Sequence, residues 1–354
     1  MLRKCIKVTA GLLAGVLTAL TVLELLLRTL PVFKGEYGAE PDASWPAQHL
    51  IPNSTYTFSA GWDFENVHRG HINNMGYVAP FDYHFGTEGL FVVGDSFVVN
   101  MMNSYSDGFQ DSLQAMLSTK TPVLGFGTVG GNLAQDLGVA ALIGEHFRPS
   151  WAVVLVTRGN FVNGFGHTPG YFRWVSVPRP DVQLNAPRRH GVLARFVRDL
   201  ALVQYVRSNL RADVGRLLAD RGSEITGGCG PPESLSVTDK ALVHFMVEQL
   251  PVRFKLSPSR VILVFDPDRE AIYNPEFALC STRDSLVRRL LEQEAATYGI
   301  KVINLEGVFR THYLETGERF DYLPIDGHWN GVAHRLAAEE VARYINARNG
   351  ASPH

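Results

Sequence analysis

The sequence predicts a three-layer α/β/α sandwich with a mostly parallel, five-stranded sheet, preceded by one transmembrane helix. Two observations lead to this fold class. Short apolar runs alternate with longer segments of helical periodicity from residue 89 onward. Such alternation is typical of a parallel sheet that is covered by helices on both faces. A separate apolar run, long enough to cross a bilayer, lies near the N-terminus.

Composition limits the size and the partners of the protein. The chain has 354 residues, of which 45% are hydrophobic, enough for one large α/β domain with additions or for two modest domains. Lys and Arg total 33 against 35 Asp and Glu, so the formal net charge is -2. Nucleic-acid-binding proteins are usually strongly basic, and we therefore expect no nucleic-acid partner.

Residues 1–30 are predicted to be a cytoplasmic N-terminus and a transmembrane anchor. Arg3, Lys4 and Lys7 precede an apolar run, residues 8–27, whose single charge is Glu24. The positive-inside tendency places the N-terminus in the cytoplasm and the remaining chain in the periplasm, as in a single-pass protein of the bacterial inner membrane. The alternative, a cleaved signal peptide, would have a shorter apolar region and a small-residue cleavage site, whereas "LELLLRTLPVF" follows here.

The segment after the anchor, residues 31–54, is rich in Pro, Gly and small polar residues and is predicted to be a linker. Residues 55–88 have little helical periodicity and are predicted to form short strands and turns packed onto the main domain, which spans 55–348. Cys229 and Cys280 both lie in the exported part, where oxidising conditions permit a disulfide. Whether they pair depends on a backbone distance that the sequence leaves open.

Each layer of the sandwich is assigned from a particular stretch. The predicted strands are "GLFVVGDS", "TPVLGFG", "WAVVLVTRGN", "RVILVFDP" and "KVINLEG". The predicted helices are 107–119, 132–146, 236–254, 283–298 and 331–347. An insertion at about 162–235 separates the third and fourth strands. Its first part is aromatic, basic and turn-rich, and its second part is predicted to be one periodic helix, either a solvated cover or a lid over the functional edge.

The stretch "FVVGDSFVVN" places Ser96 directly after a buried strand, at the edge where open α/β sheets bind ligands. A serine nucleophile needs a base within hydrogen-bonding reach and a third group that orients the base. "YLPIDGHWNG", just before the last helix, supplies Asp326 and His328. An Asp two residues before a His can bind one imidazole nitrogen and leave the other free, which is the remaining half of a catalytic triad.

These residues, in this order, resemble the blocks of the SGNH (GDSL-like) hydrolases over about residues 70–348. The matching stretches are "VVGDSF" with Ser96, "VLGFGTVGG" with Gly127, "LVTRGNF" with Asn160 and "DGHWN" with Asp326 and His328. Two positions depart from the family pattern. Phe161 follows Asn160 where an Asp is usual, and Ile325 stands three residues before His328 where the acidic residue often lies. The Asp-x-His-Trp form resembles enzymes of alginate and exopolysaccharide O-acetylation.

The resemblance implies an ester-cleaving serine enzyme. Ser96 would attack the ester carbonyl, His328 would act as the base and Asp326 would hold the imidazole. The oxyanion hole would comprise the backbone N–H groups of Ser96 and Gly127 and the side-chain amide of Asn160. No metal or organic cofactor is needed for this chemistry. The expected partners are a polysaccharide or other ester substrate, the membrane through the N-terminal helix, and proteins of an envelope assembly.

Two other functions fit the same sequence. The substrate could be a lipid or lysophospholipid reached beside the bilayer. Alternatively, the domain could be a non-catalytic polysaccharide-binding or scaffold component, because Ser96 could cap a helix and Gly127 and Asn160 could be ordinary turn residues. Asp95 is expected to bond to nearby backbone.

Two further predictions concern the same edge of the sheet. Asp266 and Asp268 are expected to cap a helix rather than to bind a metal. Trp329 is expected either to stack against a sugar or to pack against the last helix.

Overall fold

The computed structural model describes residues 2–39, 44–176, 179–187, 191–210, 234–274 and 282–350. A five-stranded parallel sheet forms its centre, as predicted. The strands of this sheet are β3 (Glu88–Gly94), β4 (Val123–Gly127), β5 (Arg148–Val156), β8 (Val261–Phe265) and β9 (Lys301–Asn304). They lie in the order β4-β3-β5-β8-β9. The chain therefore reverses its direction of progress between β3 and β5, and the carboxyl ends of these two strands flank a topological switch point.

Helices cover both faces of the sheet. The helices of five or more residues are Leu2–Thr29, Phe109–Met116, Leu133–His146, Val192–Arg198, Val237–Phe254, Arg283–Tyr298, Glu306–Thr316 and Gly331–Gly350. Four-residue helices span Ser96–Val99, Asn160–Asn163, Ala201–Gln204 and Glu270–Tyr273, and 3-10 turns span Tyr105–Asp107 and Pro258–Arg260. All five helices of the predicted sandwich are present, with ends within three residues of those predicted from periodicity.

The alternation of side chains along each strand divides the core in two. Phe91 and Val93 of β3 face a cluster that includes Leu137, whereas Leu90 and Val92 face a cluster that includes Val341. Because successive residues of a strand point to opposite faces, the near-continuous apolar runs in the sequence serve both layers.

Short strands surround the sheet. The two-stranded units are β1 (Ser54–Ala60) with β2 (Glu65–Ile72), β6 (Phe172–Val175) with β7 (Asp181–Leu184), and β10 (Asp321–Tyr322) with β11 (Asp326–Trp329), all antiparallel. The β1–β2 hairpin lies in the region expected to hold short strands. Within the segment predicted to be a linker, Trp45 and Ala47 are buried in the main core, and Lys34 pairs with Thr57 of β1.

The described part of the insertion differs from the prediction of one long helix. The helix Val192–Arg198 ends at Asp199, and a new helix begins at Ala201, followed by a π-helical turn, Tyr205–Asn209. The break has a distant cause. The carboxylate of Glu24 accepts hydrogen bonds from the backbone N–H groups of Ala201 and Leu202, at 3.0 and 2.9 Å, and so caps the second helix. Cys229 and Cys280 lie outside the described residues.

The N-terminal helix is long and apolar enough to cross a membrane. The most apolar 18-residue stretch within Ile6–Thr29 has a mean hydropathy of 2.1, and only 6% of this stretch is buried by the rest of the protein. At its C-terminal end, Leu27 and Val32 pack with Ala201 of the insertion. The helix is therefore joined to the domain at that end and projects from it along most of its length.

Candidate active site

The serine turn joins β3 to the helix Ser96–Val99. Asp95 is the N-cap of this helix, and its side chain accepts a hydrogen bond from the backbone N–H of Phe97 at 3.0 Å. Gly94 is needed just before the turn, because a Cβ there would lie 2.7 Å from a methyl group of Val98. The turn presents Ser96, half-buried, at the carboxyl edge of the sheet. The backbone N–H of Ser96 is the first of the helix and has no acceptor within it.

The hairpin β10–β11 brings His328 to this serine. Nε2 of His328 lies 2.7 Å from Oγ of Ser96, and Nδ1 of the same ring lies 2.5 Å from Oδ1 of Asp326. With the proton on Nδ1 donated to Asp326, Nε2 accepts from the serine hydroxyl. The side chain of His328 is 29% exposed, so the site is open to a ligand. The structure thus brings together the three residues predicted to form a triad.

The pKa values of the pair suit a base and its orienting acid. Burial favours neutral imidazole, but the hydrogen bond and the charge of Asp326 outweigh burial and raise the pKa of His328. Burial likewise acts to raise the pKa of Asp326, yet the bonds from His328 lower the pKa overall. Asp326 therefore stays charged and stabilises the imidazolium that forms when His328 takes a proton.

Arg269, which the sequence did not indicate as part of the site, supports the His328 turn. Its guanidinium donates to the backbone oxygen of Gly327, between the acid and the base, at 2.6 Å. It also donates to the fully buried side chain of Asp321 at 3.0 Å, and lies 3.5 Å from Asp266. Tyr273 donates to Asp321 at 2.9 Å. The guanidinium of Arg269 therefore links Asp266, just after β8, to both strands of the β10–β11 hairpin.

Asn160 lies on the other side of Ser96, after β5. Its side-chain amide donates to Asp95 at 3.2 Å and to the backbone oxygen of Gly131 at 3.4 Å, and its side-chain oxygen accepts from the backbone N–H of Thr157 at 2.7 Å. The hydroxyl of Thr157 also donates to Asp95. Both amide hydrogens are thus held in long bonds, so an oxyanion would have to displace one of them.

Gly127, the remaining predicted oxyanion donor, also has a packing role, and its part in the oxyanion hole stays a prediction. A Cβ at this position would lie 2.4 Å from the backbone nitrogen of Val99, so glycine is required where β4 meets the serine helix. The loop after β4 also approaches the serine turn further along, at Gly130, with a φ of +64°, and at Gly131, where a Cβ would lie 3.2 Å from the Cα of Asp95. The signal for this loop in the sequence is the Gly-Gly pair directly before Asn132, the N-cap of the next helix.

The other predicted site residues have structural roles. Trp329 is fully buried and donates to Asp266 at 2.7 Å, so it packs beneath His328 and presents no face to a sugar. Asp266 accepts this bond and caps no helix, and Asp268 lies 3.7 Å from Arg158. Two buried polar side chains have no hydrogen-bond partner within the described chain, namely Asp136 and His334.

A cavity of about 1110 Å³ adjoins the glycine loop after β4. Gly127, Thr128 and Val129 form part of its wall, with Tyr37, Tyr171 and Arg198 among the other lining residues. One loop contributes to both the cavity wall and the site. Thr128 lines the cavity, its backbone oxygen accepts from the N–H of Gly131, and the backbone oxygen of Gly131 accepts from Asn160. This cavity lies between the sheet edge, the N-terminal segment and the insertion.

Comparison with known proteins gives weak similarity to GDSL-type hydrolases. No family model and no curated protein matches the chain. Among solved structures, a lipolytic G-D-S-L family protein from Veillonella parvula is 12% identical (TM-score 0.35; 72% of this chain and 97% of that chain). An acetyl xylan esterase is 13% identical (TM-score 0.39; 72% and 99%), and a lipase/acylhydrolase from Enterococcus faecalis is 16% identical (TM-score 0.38; 73% and 96%). Similarity at this level carries no argument about function, which therefore rests on the geometry of the site.

Proposed function

We propose that the protein is a membrane-anchored serine O-acyl esterase or O-acyltransferase of the SGNH type, which acts through an acyl-serine intermediate. The observation that carries the proposal is the hydrogen-bonded chain from Ser96 through His328 to Asp326. His328 removes the proton as the Ser96 oxygen attacks the ester carbonyl, and then delivers this proton to the leaving alcohol. Water or a sugar hydroxyl next accepts the acyl group, again with His328 as base.

The oxyanion formed in each step needs donors that are already in place. The N–H of Ser96 at the start of its helix and the side-chain amide of Asn160 are the two donors that the proposal assigns. One such donor typically contributes roughly 3 kcal/mol to lowering the barrier. Asp95 and Thr157 hold the Asn160 amide beside the serine turn, so its position is set before substrate binds.

An envelope or secreted polysaccharide is the substrate class that we propose, with the domain outside the inner membrane and in contact with envelope assembly partners. The Asp-x-His-Trp form of the last block favours sugar esters, as do the tyrosines and the arginine that line the cavity beside the site. Such side chains stack on sugar rings and donate to hydroxyl or carboxylate groups. A lipid ester is the second candidate, because apolar side chains of the insertion are exposed beside the N-terminal helix.

The direct test is labelling of the full chain in detergent by a fluorophosphonate probe. Wild-type protein should be labelled, and Ser96→Ala should abolish the label, whereas Ser112→Ala, a half-buried serine on the helix Phe109–Met116, should leave it unchanged. An ordered but unlabelled wild-type protein would contradict the proposal. Comparison of turnover on acetylated sugars and on long-chain esters then separates the two substrate classes, and preference for long chains would favour the lipid.

A further inference from the structure

We propose that the insertion and the turn between β1 and β2 together form a membrane-docking platform, which rests on the bilayer that the N-terminal helix enters. The platform is defined by five exposed apolar side chains: Trp62, Val192, Leu193, Phe196 and Val206, which are 64%, 79%, 74%, 63% and 53% exposed. The inference rests on the proposed anchor and goes beyond the proposed reaction, because it assigns a lipid-binding surface outside the candidate active site.

The helix Val192–Arg198 has the character of an interfacial helix. Val192, Leu193 and Phe196 point away from the domain, whereas Arg195 and Arg198 line the cavity on the inner side. The guanidinium of Arg198 lies 4.6 Å from the centre of the Tyr37 ring. A short helix with one strongly apolar exposed side and with arginines beside it suits the boundary between lipid headgroups and acyl chains.

The platform is continuous with the end of the N-terminal helix. Glu24 caps the insertion helix at Ala201, and Leu27 packs against the same residue. The hydroxyl of Tyr205 donates to the backbone oxygen of Trp62 at 2.9 Å, and the Tyr205 ring lies 5.4 Å from that of Phe64. Trp62 and Val206 are therefore held in the same group of contacts as the end of the anchor.

The height of this junction matches the bilayer surface. The uncharged residues before Glu24, 8–23, span about 24 Å at about 1.5 Å per residue, which is most of the roughly 30 Å thickness of a hydrocarbon core. Glu24 then lies at the edge of the core, where its charge is shared with two backbone N–H groups and with Arg28 at 2.8 Å. Side chains bound at the level of Glu24 lie in the interfacial layer, where tryptophan is enriched.

Contact with the membrane explains the exposure of the five apolar side chains better than contact with another protein would. A soluble domain rarely leaves a large apolar patch open to water, and here the patch adjoins the C-terminal end of the only helix among the described residues that is long and apolar enough to span a bilayer. The platform would thus hold the domain against the membrane and fix the direction in which the site opens.

Trp62 offers a specific probe for this contact. The chain has five tryptophans, and the other four are 4% exposed or less. We suggest reconstituting the full chain in vesicles of phosphatidylcholine and phosphatidylglycerol, with or without bromine on the upper acyl carbons. Brominated lipid should quench a component of the emission that Trp62→Phe removes. The double variant Leu193→Ser/Phe196→Ser should lose most of this quenching, whereas Leu314→Ser, an equally exposed leucine on the helix Glu306–Thr316, should retain it.

The outcomes separate the platform from the other proposals. Lack of Trp62 quenching in a chain that resists extraction by alkaline carbonate would overturn the platform and keep the anchor. Extraction of the chain by carbonate would overturn both. Fluorophosphonate labelling in the same vesicles reports on the active site alone and shows that each variant is folded. Because wild type and Trp62→Phe already decide the question, the platform stays testable even if the double variant fails to fold.

Discussion

The two sides of the Ser96 turn stabilise buried carboxylates in opposite ways. We call the side of His328 the imidazole side and the side of Asn160 the amide side. On the imidazole side, Arg269 lies within ion-pair distance of Asp266 and Asp321 and also holds the Gly327 carbonyl. On the amide side, Asp95 accepts only from neutral donors, and Asp136 has no partner within the described chain. The imidazole side is therefore stabilised by charge, and the amide side by neutral hydrogen bonds.

The largest effect that would distinguish the sides is expected at Asn160. Asn160→Ala removes a proposed oxyanion donor and the bonds to Asp95 and Thr157, so we expect kcat to fall by about 10²- to 10³-fold with a much smaller change in KM. Turnover of a soluble acetyl ester measures both. Asn163→Ala, at the exposed end of the same short helix, is the matched control. An unchanged kcat would show that the amide side only supports the fold.

The next effect should come from Arg269, a positioning residue. Arg269→Ala releases the turn between Asp326 and His328 and is expected to lower kcat by about 10²-fold, the effect of a small misplacement of catalytic groups. The charge of Arg269 lowers the pKa of His328. Its loss should therefore raise that pKa and move the acid limb of the kcat/KM profile to higher pH.

Comparison of Arg269→Lys with Arg269→Ala separates the effect of the Arg269 charge from the effect of its hydrogen bonds. Arg269→Lys keeps the positive charge but loses the forked contact with Gly327 and Asp321, so kcat should fall while the acid limb stays in place. Arg158→Ala is the matched control, because that side chain is 71% exposed and lies 3.7 Å from Asp268. An acid limb that stays in place in Arg269→Ala would show that Arg269 is only structural.

The contrast between the sides also shows what the sequence could predict. The five strands, their helices and the Ser96 and His328 turns follow from local periodicity and from strand ends. Contacts between distant segments do not. Asp95 accepts hydrogen bonds from Thr157 and Asn160. Arg269 contacts a hairpin formed by residues 321–329. The break in the insertion helix is due to Glu24, 177 positions before Ala201. The place of Gly127 at a strand end predicts an oxyanion donor, but close helix packing at that place also demands glycine.

The smaller predicted effects concern stability, and the first lies on the imidazole side. His334 is fully buried, its ring packs edge-on against Trp329 at 5.4 Å, and burial lowers the pKa of His334 to about 3. The unfolded chain takes up the proton near pH 6.5, so stability is lost as the pH falls below that value. His334 should account for about 2 kcal/mol of lost unfolding free energy between pH 7 and pH 5.

Urea unfolding of wild type and His334→Phe at these two pH values measures that loss. The variant keeps an aromatic ring of similar size but cannot take up a proton, so its unfolding free energy should fall less between the two pH values. Equal losses in wild type and His334→Phe would show that the buried ring does not govern acid unfolding.

The amide side should show the reverse dependence on pH. Burial, aided by the charge of Asp95, raises the pKa of Asp136 well above its ordinary value, so the folded protein favours the neutral carboxyl. The unfolded chain releases this proton near pH 4, and stability is therefore lost as the pH rises above that value. Asp136→Asn removes the titration and should raise the unfolding free energy at pH 7. It should have little effect at pH 4. If stability rises equally at both pH values, Asp136 is ionised in the folded protein and the amide side holds a charge that the structure has left unpaired.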